Sequence, residues 1–451
     1  LVGLIVGLIR EYTEGKRWHG PPDVILSVHQ TKKPLDIKSG FLTSFSSILS
    51  ISIGGSVGQY GPLVHFGATL GAEIKDLFSR SKGDYQIFLG AGVAAAISSG
   101  FGAPVAGLIF AREVILRHQS LASFAPILVS SLVAYYTTKT FFGFDPILPS
   151  AIGSINDMKE LPFFIVLGLI SGFIAVIYIK LLTHKGFFFD ISKIPTYIQP
   201  AIAAFICSLF TIILPEVTGL GTSTIVNLLS AKISLNYAII FLVFKLFLTT
   251  ICIRFGLIGG VFAPALFVGA CTGVVFGTMI QAFYPDLNVG LYASSALAAV
   301  GSCVIGGPLA NMMIIFELTK DYQATLAAGI SIVFASIIAS KLVGQSIFDR
   351  VLLNRNINLD LGDENLTLQS KKINEICHSD FITVKKNELI KNVIKRMAKK
   401  NFSEAYLVDN NNILLNKIYL SDLVQQKNQS IALSKLIFKK FLILKENENI
   451  F

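Results

Sequence analysis

One motif occurs twice, and the two copies set the plan of the chain. Residues 54–71 read GGSVGQYGPLVHFGATLG, and residues 259–273 read GGVFAPALFVGACTG. Both contain the frame P-x-x-x-x-G-A-x-x-G, with Pro62, Gly67, Ala68 and Gly71 in the first copy and Pro264, Gly269, Ala270 and Gly273 in the second. Glycine and alanine are common in membrane helices, so one shared frame could arise by chance. A second pair argues otherwise: Pro104-Val-Ala is followed by Glu113, and Pro308-Leu-Ala by Glu317, each nine residues after its proline. Pro62 to Pro264 is 202 residues and Pro104 to Pro308 is 204, so whole halves of the chain match. Gly- and Pro-broken apolar segments at corresponding places in two halves point to a transporter-like site between them.

Such a site needs a membrane, and the composition supplies one. Of 451 residues, 53% are hydrophobic and only 15% charged. The mean hydropathy is +0.65. That is too apolar for a soluble enzyme of this size. Apolar runs cover most of residues 1–345, and several are shorter than the roughly 20 residues that cross a bilayer. Short, glycine-broken segments fit helices that enter and stop part-way, with protein or a water-filled cavity covering the loose backbone ends. The net charge of +10 does not indicate nucleic acid. Much of the excess lies in residues 10–38 and after Arg350, as on cytoplasmic loops, with no basic stripe interleaved with exposed aromatics. Cys207, Cys252, Cys271, Cys303 and Cys377 show no CxxC or metal spacing and read as small core residues. No Ser-His-Asp, HExxH, Walker or GxGxxG arrangement supports an enzyme.

Taken in order, residues 1–9 are apolar at once, without the charged start or cleavage site of a signal peptide. Residues 10–40 are polar and contain WHGPPDVI at 18–25, and a basic linker spans 75–82. A polar break at 141–160 separates the halves, about 1–140 and about 161–352, with a linker at 353–372. From 373 to 451 the pattern changes to strand-like FITV, helix-like ELIKNVIKRMAKKN, strand-like AYLVD and ILLNKIYL, then SDLVQQ. This β-α-β-β-α order resembles a cystathionine-β-synthase-type (CBS) module, with residues 433–451 opening an incomplete second one.

The two glycine-rich turns are suited to anions. An ion leaving water needs donors, and a bare lysine in its path would hold it too tightly. Helix N-termini offer unpaired N–H groups and partial positive charge instead. Glycine lets those amides come close, and proline just inside the start forfeits an N–H that is unpaired anyway. GQYGP and GGVFAP both have that make-up.

The membrane part resembles the CLC family of chloride channels and chloride/proton antiporters. GGSVGQYGP at 54–62 is similar to the family's G-x-E-G-P element, and GLIGGVFAP at 256–264 to G-x-F-x-P. GAPVAGLIFAREV at 102–114 is similar to its A-P-L-A-G helix, SIFDRVL at 346–352 to its closing helix, and WHGPPDVI sits where it has G-S-G-I-P. The resemblance covers residues 1–352 and implies an all-α polytopic membrane fold of two inverted repeats of broken and re-entrant helices. It places the first helices of that fold upstream of Leu1. It further implies a homodimer in the plasma (inner) membrane, one pore per subunit, and a cytoplasmic CBS tail. It names anion-binding positions too: Gly58, Gln59 and Tyr60 in the first half, Gly260, Val261 and Phe262 in the second, and His19, Gly20 and Phe348 at the central site.

Four departures from the family pattern shape the functional expectation. The gating glutamate aligns with Tyr60, the inner proton glutamate with Val114, the central serine with His19 and the central tyrosine with Phe348. A phenol titrates near pH 10, so at ordinary pH it keeps its proton and cannot hand it on as a carboxylate does. The expected function is therefore passive, uncoupled transport of chloride or a similar small anion, without metal or cofactor. The alternatives are a coupled antiporter using Glu113 or Glu317, and a non-conducting scaffold or nucleotide sensor. Whether adenine nucleotide binds the tail is not legible. His65 reads as a packing or pore-lining residue, Arg112-Glu113 as a polar helix end, and Glu317 as a helix-end carboxylate or an intramembrane functional acid.

Overall fold

The computed structural model describes residues 1–29, 35–78, 84–117, 120–143, 158–184, 194–344, 346–359, 380–426 and 428–435. The chain forms two compact units, 1–359 and 360–451.

The helices of the first unit come in two matching series. The first is α1 (Val2–Glu11), α2 (Pro21–His29), α3 (Ile37–Ser52), α4 (Tyr60–Phe78), α5 (Asp84–Phe101), α6 (Pro104–Phe110) and α7 (Leu121–Phe142). After α8 (Leu161–Thr183), the second runs α9 (Gln199–Ile213), α10 (Thr222–Leu229), α11 (Leu235–Arg254), α12 (Phe262–Gln281), α13 (Val289–Ile305), α14 (Pro308–Thr319) and α15 (Tyr322–Leu342), closed by α16 (Ile347–Leu353). Helices α9 to α15 retrace α1 to α7 one for one. A wider π-helical turn, Ala111–Leu116, continues α6, whereas α14 runs on as regular helix.

The recurring G-A-x-x-G frame has one packing role in both halves. A Cβ at Gly67 or Gly71 of α4 would strike the carbonyls of Gly92 and Phe88 on α5. A Cβ at Gly269 or Gly273 of α12 would strike those of Ala296 and Tyr292 on α13. The glycines thus let two helix backbones touch. Every residue of α13 is buried, which is why that segment is apolar all round. Among the described residues five helices are long and apolar enough to cross a membrane: α7, α8, α11, α12 and the one beginning at Tyr322. Phe173, Ile177, Val243 and Val333 are exposed on the outside of this unit, as a lipid-facing surface requires.

The unit extends further than the sequence suggests. Residues 353–359 were expected in the linker, yet Arg355 pairs with Asp23, and Ile357 and Leu359 pack against the membrane-unit core. Residues 360–372 and Cys377, like 144–157 of the central polar break and 79–82 of the basic linker, lie outside the described residues.

The second unit is a three-stranded sheet with β1 (Thr383–Lys385) parallel to β2 (Glu404–Val408) and β2 antiparallel to β3 (Leu414–Tyr419). Helix α17 (Ile390–Lys399) connects β1 to β2, and α18 (Leu420–Val424) follows β3. Val384, Val393, Met397, Leu407 and Ile418 form its core. Leu433, expected to open a second motif, is buried in this same core, and its N–H donates to the Glu388 carbonyl at 3.0 Å. Residues 436–451 lie outside the described residues.

Candidate anion site

The two glycine-rich turns meet back to back. The Gly58 N–H donates to the Gly260 carbonyl at 2.6 Å, and the Gly260 N–H to the Gly58 carbonyl at 2.5 Å. A Cβ on Gly61 would stand 2.9 Å from the Gly260 Cα, so a larger residue there would part the two turns. This pairing corrects one expectation: Gly58 and Gly260 spend their amides on each other and offer none to an ion. Among the described residues, the N–H groups of Tyr60 and Gly61 of α4 and of Val261 and Phe262 of α12 have no backbone acceptor, because the first turn of a helix has none inside it. The buried Tyr178 hydroxyl donates to the Val261 carbonyl at 2.9 Å and fixes the α12 start.

A second reciprocal contact joins the halves. The carboxylate of Glu113 accepts from the N–H groups of Leu309 at 3.1 Å and Ala310 at 2.8 Å, at the start of α14. Glu317, on α14, accepts from Val105 at 2.9 Å and Ala106 at 2.7 Å, at the start of α6. Each half caps the helix of the other with its own glutamate. Glu113 is therefore not a mere polar helix end. Val114 beside it is buried, lies outside the cavity described next, and would contact a Cβ on Gly307 at 2.8 Å.

A cavity of about 250 Å³ opens where α2, α4, α12 and α16 converge. Its walls include His19, Gly20, Tyr60, Gly61, Val261, Phe262 and Phe348, so the structure brings most of the candidate residues to one place. Gln59 precedes α4 and does not line it. The Tyr60 ring is buried, stacks on Phe101 at 3.8 Å between centroids, and meets Phe262 edge-on at 5.9 Å. Phe101 and Phe262 are themselves 5.6 Å apart, so the three rings form one cluster whose Tyr60 and Phe262 line the cavity. Phe348 lines it with a ring that has no hydroxyl.

The opposite side is polar, in a way the sequence reading did not anticipate. Asp23 receives the Gly20 N–H at 3.0 Å, Arg17 at 2.8 Å and Arg355 at 2.8 Å. Gly20 is thereby corrected as well: its amide is taken by Asp23, and Pro21 and Pro22 have none. The start of α2 has no amide left for an ion. The His19 Nε2–H donates to the Glu14 carbonyl at 3.0 Å, with the ring at the cavity wall. His65 is fully buried 6.0 Å from the His19 ring, does not line the cavity, and neither ring nitrogen has a partner among the described residues. Among the described residues there is no cluster of three His, Cys, Asp or Glu side chains able to hold a metal. Arg355 lines the cavity too; only its distant partner Asp23 gives it meaning.

Comparison with known proteins agrees with this architecture. The family model described as voltage gated chloride channel matches residues 1–340, and the chain belongs to that family. Its members are transporters or channels, not enzymes. A putative chloride channel protein ClcB-like of Ralstonia nicotianae is 28% identical over 80% of this chain and 86% of its own length. A H(+)/Cl(−) exchange transporter ClcA of Vibrio cholerae is 27% identical over 72% of each. The solved structure of a slow cyanobacterial Cl−/H+ antiporter superposes with a TM-score of 0.70 at 21% identity, over 79% of this chain and 86% of that one.

Proposed function

We propose that this protein conducts chloride or a similar small anion passively across a membrane, through the contact between the starts of α4 and α12. One observation carries the reading. The two helix starts converge on a cavity walled by Val261, Phe262, Tyr60 and Gly61, with a neutral phenol at the position of the family's gating glutamate. Unpaired amides and helix dipoles attract an anion without trapping it. The resemblance places a carboxylate at Tyr60 and at Val114 in proton-coupled members; here neither residue can take up and release a proton at ordinary pH. Glu113 and Glu317 each accept two backbone amides, and Asp23 at the cavity wall is held by Arg17 and Arg355, which suits structural parts.

The test is chloride efflux from protein-loaded liposomes, with medium pH followed in parallel. Uncoupled conduction gives efflux without stoichiometric proton movement; absence of efflux from folded protein would favour the scaffold reading. The same proposal includes a homodimer, an inner-membrane location, and a cytoplasmic tail of CBS type. The tail reading rests on the β-α-β-β-α order observed in the second unit.

His19 belongs to this proposal as part of the cavity wall, its ring held in place by the Glu14 carbonyl. In the His19→Ser variant the ring leaves the wall and chloride affinity is expected to change; an affinity identical to wild type would remove His19 from the site.

A further inference from the structure

Lys245 lies in the middle of α11 and is fully buried, in a unit built of membrane-length helices. Its ammonium donates to the carbonyls of Val217 at 3.1 Å and Gly219 at 3.0 Å, and stands 4.8 Å from the centre of the Phe267 ring. Among the described residues no carboxylate pairs with it. The titratable groups nearest it are the thiols of Cys207 on α9, Cys252 on α11 and Cys271 on α12. Carbonyls and a ring face occupy its protons but leave its charge without a counter-ion. Withdrawing such a charge from water is costly, and an ionisable group inside a membrane unit is a functional candidate by default.

Its position relates that charge to both helix starts. The Val217 carbonyl that receives Lys245 also receives the Ser56 hydroxyl at 3.0 Å, and Ser56 is two residues before Gly58. Phe267 is five residues beyond Phe262 along α12. Two extended residues span about 7 Å, and five helical residues rise about 7.5 Å. The ammonium therefore stands roughly 10–15 Å from the paired turns. It is absent from the cavity wall.

We propose that Lys245 is an electrostatic positioning residue for the transported ion, and that the ion is its counter-charge. Set back behind the turn at 54–58 and behind α12, the lysine attracts an anion without touching it. This avoids the tight binding that a lysine in the path would cause. The inference rests on the anion-transport reading above. A unit charge about 10–15 Å away, at an effective dielectric of about 20, alters occupancy roughly tenfold.

The experiment measures chloride affinity, by calorimetric titration of the purified full chain with sodium chloride and by the concentration dependence of efflux. Wild type comes first: if it neither binds nor transports chloride, the transport reading fails, whatever Lys245 does. Given wild-type binding, Lys245→Gln keeps a donor for Val217 and Gly219 and drops the charge. Affinity about tenfold weaker at an unchanged melting temperature supports the proposal. Unchanged affinity overturns it and leaves Lys245 as a tie for the turn at 215–219. Should Lys245→Gln not fold, Lys245→His supplies a titratable charge at the same place. Chloride affinity in that variant must fall with rising pH more steeply than in wild type, and a parallel profile overturns the proposal.

Discussion

Replacing Tyr60 with alanine is expected to raise the rate of chloride efflux from liposomes about tenfold, while Tyr60→Phe stays within about twofold of wild type. The Tyr60 ring lines the cavity, stacking on Phe101 and meeting Phe262 edge-on. Each such aromatic contact is worth about 0.5–1.5 kcal/mol beyond the area it buries, so opening the trio is a barrier of a size that flux can report. Phenylalanine keeps the stack and loses only the hydroxyl, the group proposed to donate to a passing ion. The pair of variants thus separates a constriction from a donor. If Tyr60→Ala and Tyr60→Phe both match wild type in rate and anion selectivity while remaining folded, the aromatic trio is packing and the path runs elsewhere.

Removing either capping glutamate is expected to cost stability, and to cost nearly the same amount in both halves. Glu113→Ala strips the acceptor from Leu309 and Ala310, and Glu317→Ala strips it from Val105 and Ala106. Hydrogen bonds to a charged group are worth about 1.5–3 kcal/mol each, and an unsatisfied buried donor is penalised further. With two such bonds lost, roughly 3–6 kcal/mol per variant follows, visible as several degrees in the melting temperature in detergent. Glutamine, which keeps one acceptor oxygen, should recover part of it. The near-equality is the sharper expectation, because it follows from reciprocity and not from either site alone. A large effect at one glutamate with none at the other would show that the two contacts are not equivalent. A proton-coupling role would instead appear as altered proton flux at constant melting temperature.

The sequence made the plan of the membrane unit legible because its signals are local and repeated. Gly67, Gly71, Gly269 and Gly273 lie in one frame, and the structure uses all four for the same close helix contact. Pro62 and Pro264 each stand third in their helices, where a missing N–H is harmless. Long-range pairing was less legible. Gly58 and Gly260 look like donors in isolation and lose that role only when the turns meet across about two hundred residues. Gly20 likewise looks free until Asp23 folds back on it. Arg355 sits in a polar stretch that resembles a linker, and its partner is 332 residues away. Glu113 and Glu317 were visible as a matched pair, but not that each serves the other half. Lys245 stands in an apolar run with no local partner, so nothing near it in sequence marks it.

The central claim is that anion movement is not tied to protons, and one electrical measurement tests it most directly. In planar bilayers with a fixed chloride gradient, the reversal potential is recorded with equal pH on both sides and again across a gradient of two pH units. A passive pore lined by the amides of Val261, Phe262, Tyr60 and Gly61 should reverse at the chloride equilibrium potential in both cases. A reversal potential that shifts with the pH gradient, by the amount a fixed chloride-to-proton ratio demands, would contradict the account and assign the protein to the coupled antiporters.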